Sequence, residues 1–274
     1  MLLSFFKSLC FNLFAPINKK IILKDKYKDL YFKKEDNINS YTLKNEKILK
    51  NFKKISSEYL IECEKFIKNS LNNVPKNQNS VYINNLNSNF FDANNPLLKI
   101  ALDEEILNLV ENYFNERAII WDLRIIKSEN NINLKLNKDQ LWHRDKYDNK
   151  SLRLWLSLSD CDINCGPFQF LPHDISKKII KSYITRVDDN YIIKKKLFNN
   201  IQYLLTKKGD ISLIDVSKLL HCGSRIKAGK SRLIFNVIYT TAKPYKKPTF
   251  NLKLKNDLLT YMNLSNLQKS FLTY

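Results

Sequence analysis

The sequence predicts a mainly β domain, a sandwich or barrel, buttressed by helices from its first 115 residues. Three observations predict it. Apolar residues recur at helical intervals between Leu43 and Phe114, whereas from Arg117 onward they gather into short runs rich in Ile, Leu and aromatic residues. These runs are many, brief and separated by turn-forming residues. No internal repeat is visible, which sets aside a solenoid or a propeller. Periodicity alone does not choose between sandwich and barrel.

In chain order, residues 1–16 are apolar but interrupted by Lys7 and Asn12, with Leu3, Phe6, Leu9, Phe11 and Phe14 loosely spaced as on an amphipathic helix. The stretch is too short to span a bilayer and has no basic leader, so it is expected to pack on the domain, with lying on a membrane surface as the alternative. Residues 17–43 read as an irregular lead-in. A helix is expected over 43–71, through Ile48, Phe52, Ile55, Leu60, Ile61 and Phe66. Residues 72–95 are Asn- and Ser-rich, with Pro75 and one short strand at Val81–Ile83. A second helix is expected over 96–114. Strands follow at Arg117–Ile126, Leu152–Leu158, Phe168–Leu171, Ile211–Ile214 and Leu233–Thr240. Between them, 174–208 is a Lys-rich, partly helical insertion suited to a lid, and the tail after Pro248 suits a short closing helix. The expectation is one domain over 1–274: helical support to 115, a β core over 116–245 and a tail over 246–274.

A chain of 274 residues with 44% hydrophobic content can bury a sizeable core, which excludes a disordered chain. The formal net charge of +19 raises the question of a nucleic-acid partner. The excess is carried by scattered Lys, with Lys194-Lys195-Lys196 the densest cluster, and Arg residues are few. A solvated basic surface is therefore expected, and nucleic acid is not. The rival reading is a non-catalytic barrel that binds nucleic acid or an anionic glycan. Five cysteines (Cys10, Cys63, Cys161, Cys165 and Cys222) follow no disulfide rhythm and suit reduced thiols in the cytoplasm. Cys161 and Cys165 lack a second pair for a zinc site.

The chemistry sits on two of only three histidines. In Leu141-Trp142-His143-Arg144-Asp145, an extended chain points His143 and Asp145 to one side, so a ring nitrogen and a carboxylate can reach one ion. Such a triplet alone is weak and is usually a surface pair. Downstream, Gly209 to Asp215 reads as a turn into a strand, and His221 follows closely. Two histidines and a carboxylate make the facial set of non-haem iron(II) sites, with the opposite positions open. Eleven positions after His221 stands Arg232, heading the apolar run Leu233 to Tyr239, with Gly229-Lys230 as turn chemistry before it. Two antiparallel strands are expected to bring Arg232 back beside His221, where its guanidinium would grip a carboxylate bidentately. His173, after Pro172, suits a rim position; Trp142, Trp155 and Cys222 suit core packing as readily as a site.

The runs Leu141 to Lys177 and Gly209 to Tyr239 resemble the phytanoyl-CoA dioxygenase-like family of iron(II)/2-oxoglutarate oxygenases. The resemblance is carried by Trp142-His143-Arg144-Asp145, Leu154 to Asp160, Gly166-Pro167-Phe168-Gln169-Phe170-Leu171-Pro172-His173, and Gly209-Asp210 through His221 to Arg232. It implies a double-stranded β-helix, a jelly-roll of the cupin kind, with the metal in its mouth. It implies that His143, Asp145 and His221 hold Fe(II), that Arg232 clamps 2-oxoglutarate, and that Trp155 lies near this co-substrate. It also implies O2 as the second co-substrate and hydroxylation of a C–H bond as the default outcome. A ligating Asp145 argues against halogenation. The sequence departs from the family at Pro172-His173, where a Pro-Gly-Ser-His turn is usual. It departs again at Gly223, where some relatives carry a co-substrate-binding Ser that Ser224 or Ser231 would have to replace. The implied substrate is a small molecule, and the lysines of the insertion and of Tyr245-Lys246-Lys247 favour an anionic or carrier-linked one.

Overall fold

A computed structural model of the chain describes residues 38–72, 82–130, 140–179, 186–223 and 225–273. The expectations for residues 1–37, and any role for Ser224, lie outside these residues. Eleven strands are described, in two antiparallel sheets.

The larger sheet has the order β1-β9-β5-β11-β3-β2. Its strands are β1 (Ile48–Lys54), β2 (Tyr82–Asn87), β3 (Ala118–Glu129), β5 (Ser151–Ser157), β9 (Asp210–Asp215) and β11 (Ser231–Thr241). The smaller sheet has the order β7-β4-β10-β6-β8. It consists of β4 (Trp142–His143), β6 (Phe168–Phe170), β7 (Arg186–Val187), β8 (Gln202–Leu204) and β10 (His221–Cys222). Every strand pairing is antiparallel. This is the jelly-roll that the motif resemblance implied.

Side-chain alternation explains why the larger sheet can face two ways. On β5, Leu152, Leu154 and Leu156 join the main core under the helices. So do Phe235, Val237 and Tyr239 of β11, and Leu123 and Ile125 of β3. The residues between them face the smaller sheet, where Trp155, Phe168, Phe170, Leu204, Ile214 and Ile234 form a second cluster. Each fully buried Leu or Phe on the helical side contributes about 1.5–3 kcal/mol.

The helical buttress departs from the sequence expectation in two places. The single helix expected over 43–71 is divided into α1 (Ile38–Glu46) and α2 (Ser57–Asn72), with β1 between them. Ile48, Phe52 and Ile55 have helical spacing, but the segment is captured as an edge strand by β9, with a bulge between Leu49 and Lys53 that shifts the strand period. Asn51, at a φ of 45°, sits in that bulge. The helix expected over 96–114 is also two, α3 (Pro96–Ala101) and α4 (Glu104–Phe114). Here the side chains of Asn95 and Asp103 each accept from a backbone N–H of the following turn, so each helix has its own N-cap.

The tail forms two helices, α7 (Leu252–Tyr261) and α8 (Asn266–Leu272), the second opened by a capping box of Ser265 and Gln268. Within 174–208, α5 (His173–Ile179) and α6 (Asp189–Lys194) accompany β7 and β8, which extend the smaller sheet at its two edges. Cys63, Cys161, Cys165 and Cys222 are free thiols. No helix among the described residues is long and apolar enough to cross a membrane.

Candidate metal centre and its cavity

His143 on β4 and His221 on β10 are direct cross-strand partners in the smaller sheet. Their ring centroids lie 4.4 Å apart. Asp145 follows β4, and its backbone N–H donates to the Val216 carbonyl at 2.9 Å, which ties the turn after β9 to the ligand segment. One ligand atom from each of His143, Asp145 and His221 falls within 4.8 Å of the others, and among the described residues no other His, Cys or acidic group of this kind occurs.

The hydrogen bonds behind the rings decide which nitrogen faces inward. His143 Nδ1 is 2.6 Å from the Leu141 carbonyl, and His221 Nδ1 is 2.9 Å from the Leu219 carbonyl. A carbonyl only accepts, so both Nδ1 atoms carry the proton and both Nε2 atoms present a lone pair. His221 Nε2 is buried and has no hydrogen-bond partner. His143 Nε2 stands 3.4 Å from Asp145 Oδ1. Three electron-pair donors thus converge, each ring braced from behind as metal-bound histidines are. The donor set fits a divalent cation, and two histidines with one carboxylate suit iron(II).

The electrostatics agree. Burial, and then the neighbouring His143, push the His221 ring down to about 3, so it is neutral near pH 7. For Asp145, burial works to raise the carboxyl, but the Arg153 guanidinium and the two imidazoles override it and hold it well below the usual carboxylate range. Arg153 donates to Asp145 Oδ2 at 2.6 Å, which leaves Oδ1 to point at the histidines.

His143 and His221 line a cavity of about 90 Å³ between the sheets, together with Trp155, Phe168, Gly223 and Arg232. Arg232 is buried at the start of β11; it donates to the Gly166 carbonyl and stands 5.1 Å from the centre of the Trp155 ring. The expected hairpin is not how it gets there. β10 pairs with β4 and β6, whereas β11 pairs with β3 and β5 in the other sheet. β10 and β11 thus belong to different sheets, so Arg232 faces His221 across the cavity instead of lying beside it on a neighbouring strand.

Trp155 is in the cavity wall. Ser231 is exposed and is not among the lining residues, because consecutive residues on β11 point to opposite faces and Arg232 takes the inner one. His173 opens α5, apart from the metal-binding group. Cys222 lies in a small core with Trp142 and Leu220, and burial pushes its thiol up to about 12. None of the described residues of 174–208 lines the cavity.

Sequence reasoning did not single out several lining residues, among them Phe168, whose ring stacks 4.9 Å from that of His221, Arg153 and Arg124. A signal existed for the arginines. Arg153 precedes Trp155 by two positions on one strand, and Arg124 stands two positions after Asp122 within the run Ala118 to Ile126, whose other residues are apolar.

The fold is one found in solved enzymes. SnoK, a non-heme alpha ketoglutarate dependent carbocyclase from nogalamycin biosynthesis, is 13% identical over 78% of this chain and 87% of its own, with a TM-score of 0.57. EctD from S. alaskensis, solved with 2-oxoglutarate and 5-hydroxyectoine, is 15% identical over 78% of this chain and 79% of its own, with a TM-score of 0.56. HygX from Streptomyces hygroscopicus, solved with nickel and 2-oxoglutarate bound, is 10% identical over 78% of this chain and 90% of its own, with a TM-score of 0.52. No family model and no curated protein matches the chain. At these identities the likeness is one of fold, and the chain has the jelly-roll architecture of these enzymes.

Proposed function

We propose that this chain is an iron(II)- and 2-oxoglutarate-dependent oxygenase that hydroxylates a C–H bond of a small anionic or carrier-linked molecule. The observation that carries the reading is the buried convergence of His143, Asp145 and His221 in one cavity with Arg232. The solved neighbours with iron or nickel and 2-oxoglutarate support it, as does the motif resemblance to phytanoyl-CoA dioxygenase-like enzymes. The rival binding-module reading calls for a surface site, whereas this donor set is buried.

On this reading His143 Nε2, His221 Nε2 and Asp145 Oδ1 hold the iron. When bound, iron with 2-oxoglutarate and O2 supplies the oxidising power, and 2-oxoglutarate leaves as succinate and CO2. The protein's part is positioning. Arg232, anchored by Gly166 and Trp155, takes the far carboxylate of 2-oxoglutarate. The carbonyls of Leu141 and Leu219 keep the two imidazoles in register, and Arg153 does the same for Asp145. Ile126, Ile234 and Ile238 form an apolar wall that keeps bulk water from the reacting carbon.

The test is an anaerobic titration of the iron(II)-loaded protein with 2-oxoglutarate, read through the weak visible charge-transfer band of the chelate. A band in the parent that vanishes in His143→Ala, and that needs far more 2-oxoglutarate in Arg232→Ala, is the expected result. A folded, metal-loaded parent with no band refutes the reading.

A further inference from the structure

The geometry points to Arg124 as an anchor for an oxoanion of the substrate, a carboxylate, phosphate or sulfate, on the outer side of the same cavity. The inference rests on the oxygenase reading and adds to it which group recognises the substrate.

The placement follows from strand register. On β3, Leu123 and Ile125 enter the helical core, so Asp122, Arg124 and Ile126 face the cavity side. Arg124 lies opposite Asn236 of β11, and Asn236 lies opposite Trp155 of β5. Arg124 therefore shares a cross-strand row with Trp155, two strand spacings or roughly 10 Å away. Asn85 and Tyr147 line the same mouth.

The side chain is built to present one edge. Arg124 Nε donates to Asp122 Oδ2 at 2.8 Å, and Asp122 is 1% exposed. Asp122 is itself fixed, since its Oδ1 accepts from the Leu123 N–H at 2.9 Å. That bond occupies the Nε edge and leaves the paired terminal nitrogens of Arg124 without a protein partner among the described residues, on a side chain 29% exposed. The other two arginines of the cavity have other roles on this reading: Arg153 bonds Asp145, and Arg232, anchored by Gly166 and Trp155, takes the co-substrate.

A planar fork with two parallel N–H groups matches two oxygens of one anion, and a partly enclosed setting strengthens that attraction over its value in water. The inner anion position falls to Arg232 and the co-substrate, so an anion at Arg124 belongs to the substrate.

The test uses the full chain with Mn(II) in place of iron, saturated with 2-oxoglutarate, and methylphosphonate as the probe. The 31P line width of the probe is read against its concentration. Paramagnetic broadening falls steeply with distance from the ion, so anions loosely held by surface lysines do not register.

The parent is expected to broaden the line saturably. Arg124→Gln is expected to lose about tenfold or more of the effect and Arg124→Lys to keep most of it, while affinity for 2-oxoglutarate stays within about twofold in all three. That retained affinity also certifies that the variants are folded. Equal broadening by the parent and Arg124→Gln overturns the assignment, and so does no broadening by a parent that binds 2-oxoglutarate. A loss of about tenfold in 2-oxoglutarate affinity in Arg124→Gln gives the residue to the co-substrate and overturns it too. A parent that fails to bind 2-oxoglutarate at all, read in the first titration, removes the oxygenase reading and this assignment with it.

Discussion

The two sheets do different work with different kinds of strand. In the smaller sheet, β4 and β10 are two residues long, and each carries one histidine. In the larger sheet, the arginines of the cavity ride on β5, β3 and β11, of 7, 12 and 11 residues. A two-residue strand cannot aim a side chain by its pleat alone. The aim comes from elsewhere: the Leu141 and Leu219 carbonyls behind the rings, and the Val216 carbonyl that accepts from Asp145. The long strands need no such help, because alternation sends Arg153, Trp155 and Asn236 to one face while their neighbours enter the helical core, and Arg232 shares that face. The metal side is thus held by individual hydrogen bonds and the arginine side by the regularity of a sheet.

The sharpest way to break this comparison is on the metal side. His221→Ala is expected to lower Co(II) affinity more than about 100-fold, since it removes a ligand and not merely its support. A change below tenfold in a Co(II) titration would put the ion elsewhere. Next in size is the arginine side. Arg232→Ala is expected to weaken 2-oxoglutarate binding by about 10- to 100-fold, the weight of a charge-assisted fork, with Co(II) affinity nearly unchanged. Loss of both together would mean that the two sheets do not contribute separately.

Gly166 joins the halves, because its carbonyl accepts from Arg232. It has a φ of 69°, and a Cβ there would collide with Ile226 Cγ1 and come within 3.1 Å of the backbone nitrogens of Arg225 and Ile226. Gly166→Ala is therefore expected to cost about 1–3 kcal/mol of stability and to loosen 2-oxoglutarate binding by severalfold, checked by thermal melting and the same titration. An unchanged melting temperature would show that this loop yields freely.

The smallest effect serves as a control in the buttress. Glu111 lies on α4, and burial pushes its carboxyl up to about 7 against the opposing charge of Arg117. Its folded value lies above its ordinary one, so its contribution is intact below about 4.5 and is lost as pH rises through 7. Glu111→Gln should then raise the melting temperature modestly at pH 8 and leave it unchanged at pH 4, with no effect on metal or 2-oxoglutarate. A gain at pH 4 equal to that at pH 8 would rule out ionisation as the cause.

Legibility from the sequence followed the same division. Motif spacing singled out His143, Asp145, His221 and Arg232, because donors that could share one ion must lie within a few ångströms and so leave a short-range trace on a strand or its turn. Strands with clean alternation, such as β5 and β11, were also readable. β1 was not: its Ile48, Phe52 and Ile55 spacing imitates a helix, and only pairing with β9 shows otherwise. The split of 96–114 escaped notice although Asp103 is a good N-cap, because the apolar period runs on through the break.

What the sequence by itself determined was the chemistry on offer: the donor types, an arginine within reach of them, the order of helices before strands, and a core large enough to hold them. The tertiary structure decided which residues meet. Arg232 approaches His221 across two sheets and not along a hairpin, Ser231 turns outward, and Arg153 and Arg124 meet in one cavity from strands that are not neighbours. The physical reason is that side-chain period is a local property of the chain, whereas sheet membership and cross-strand register are set by pairings between segments far apart in sequence.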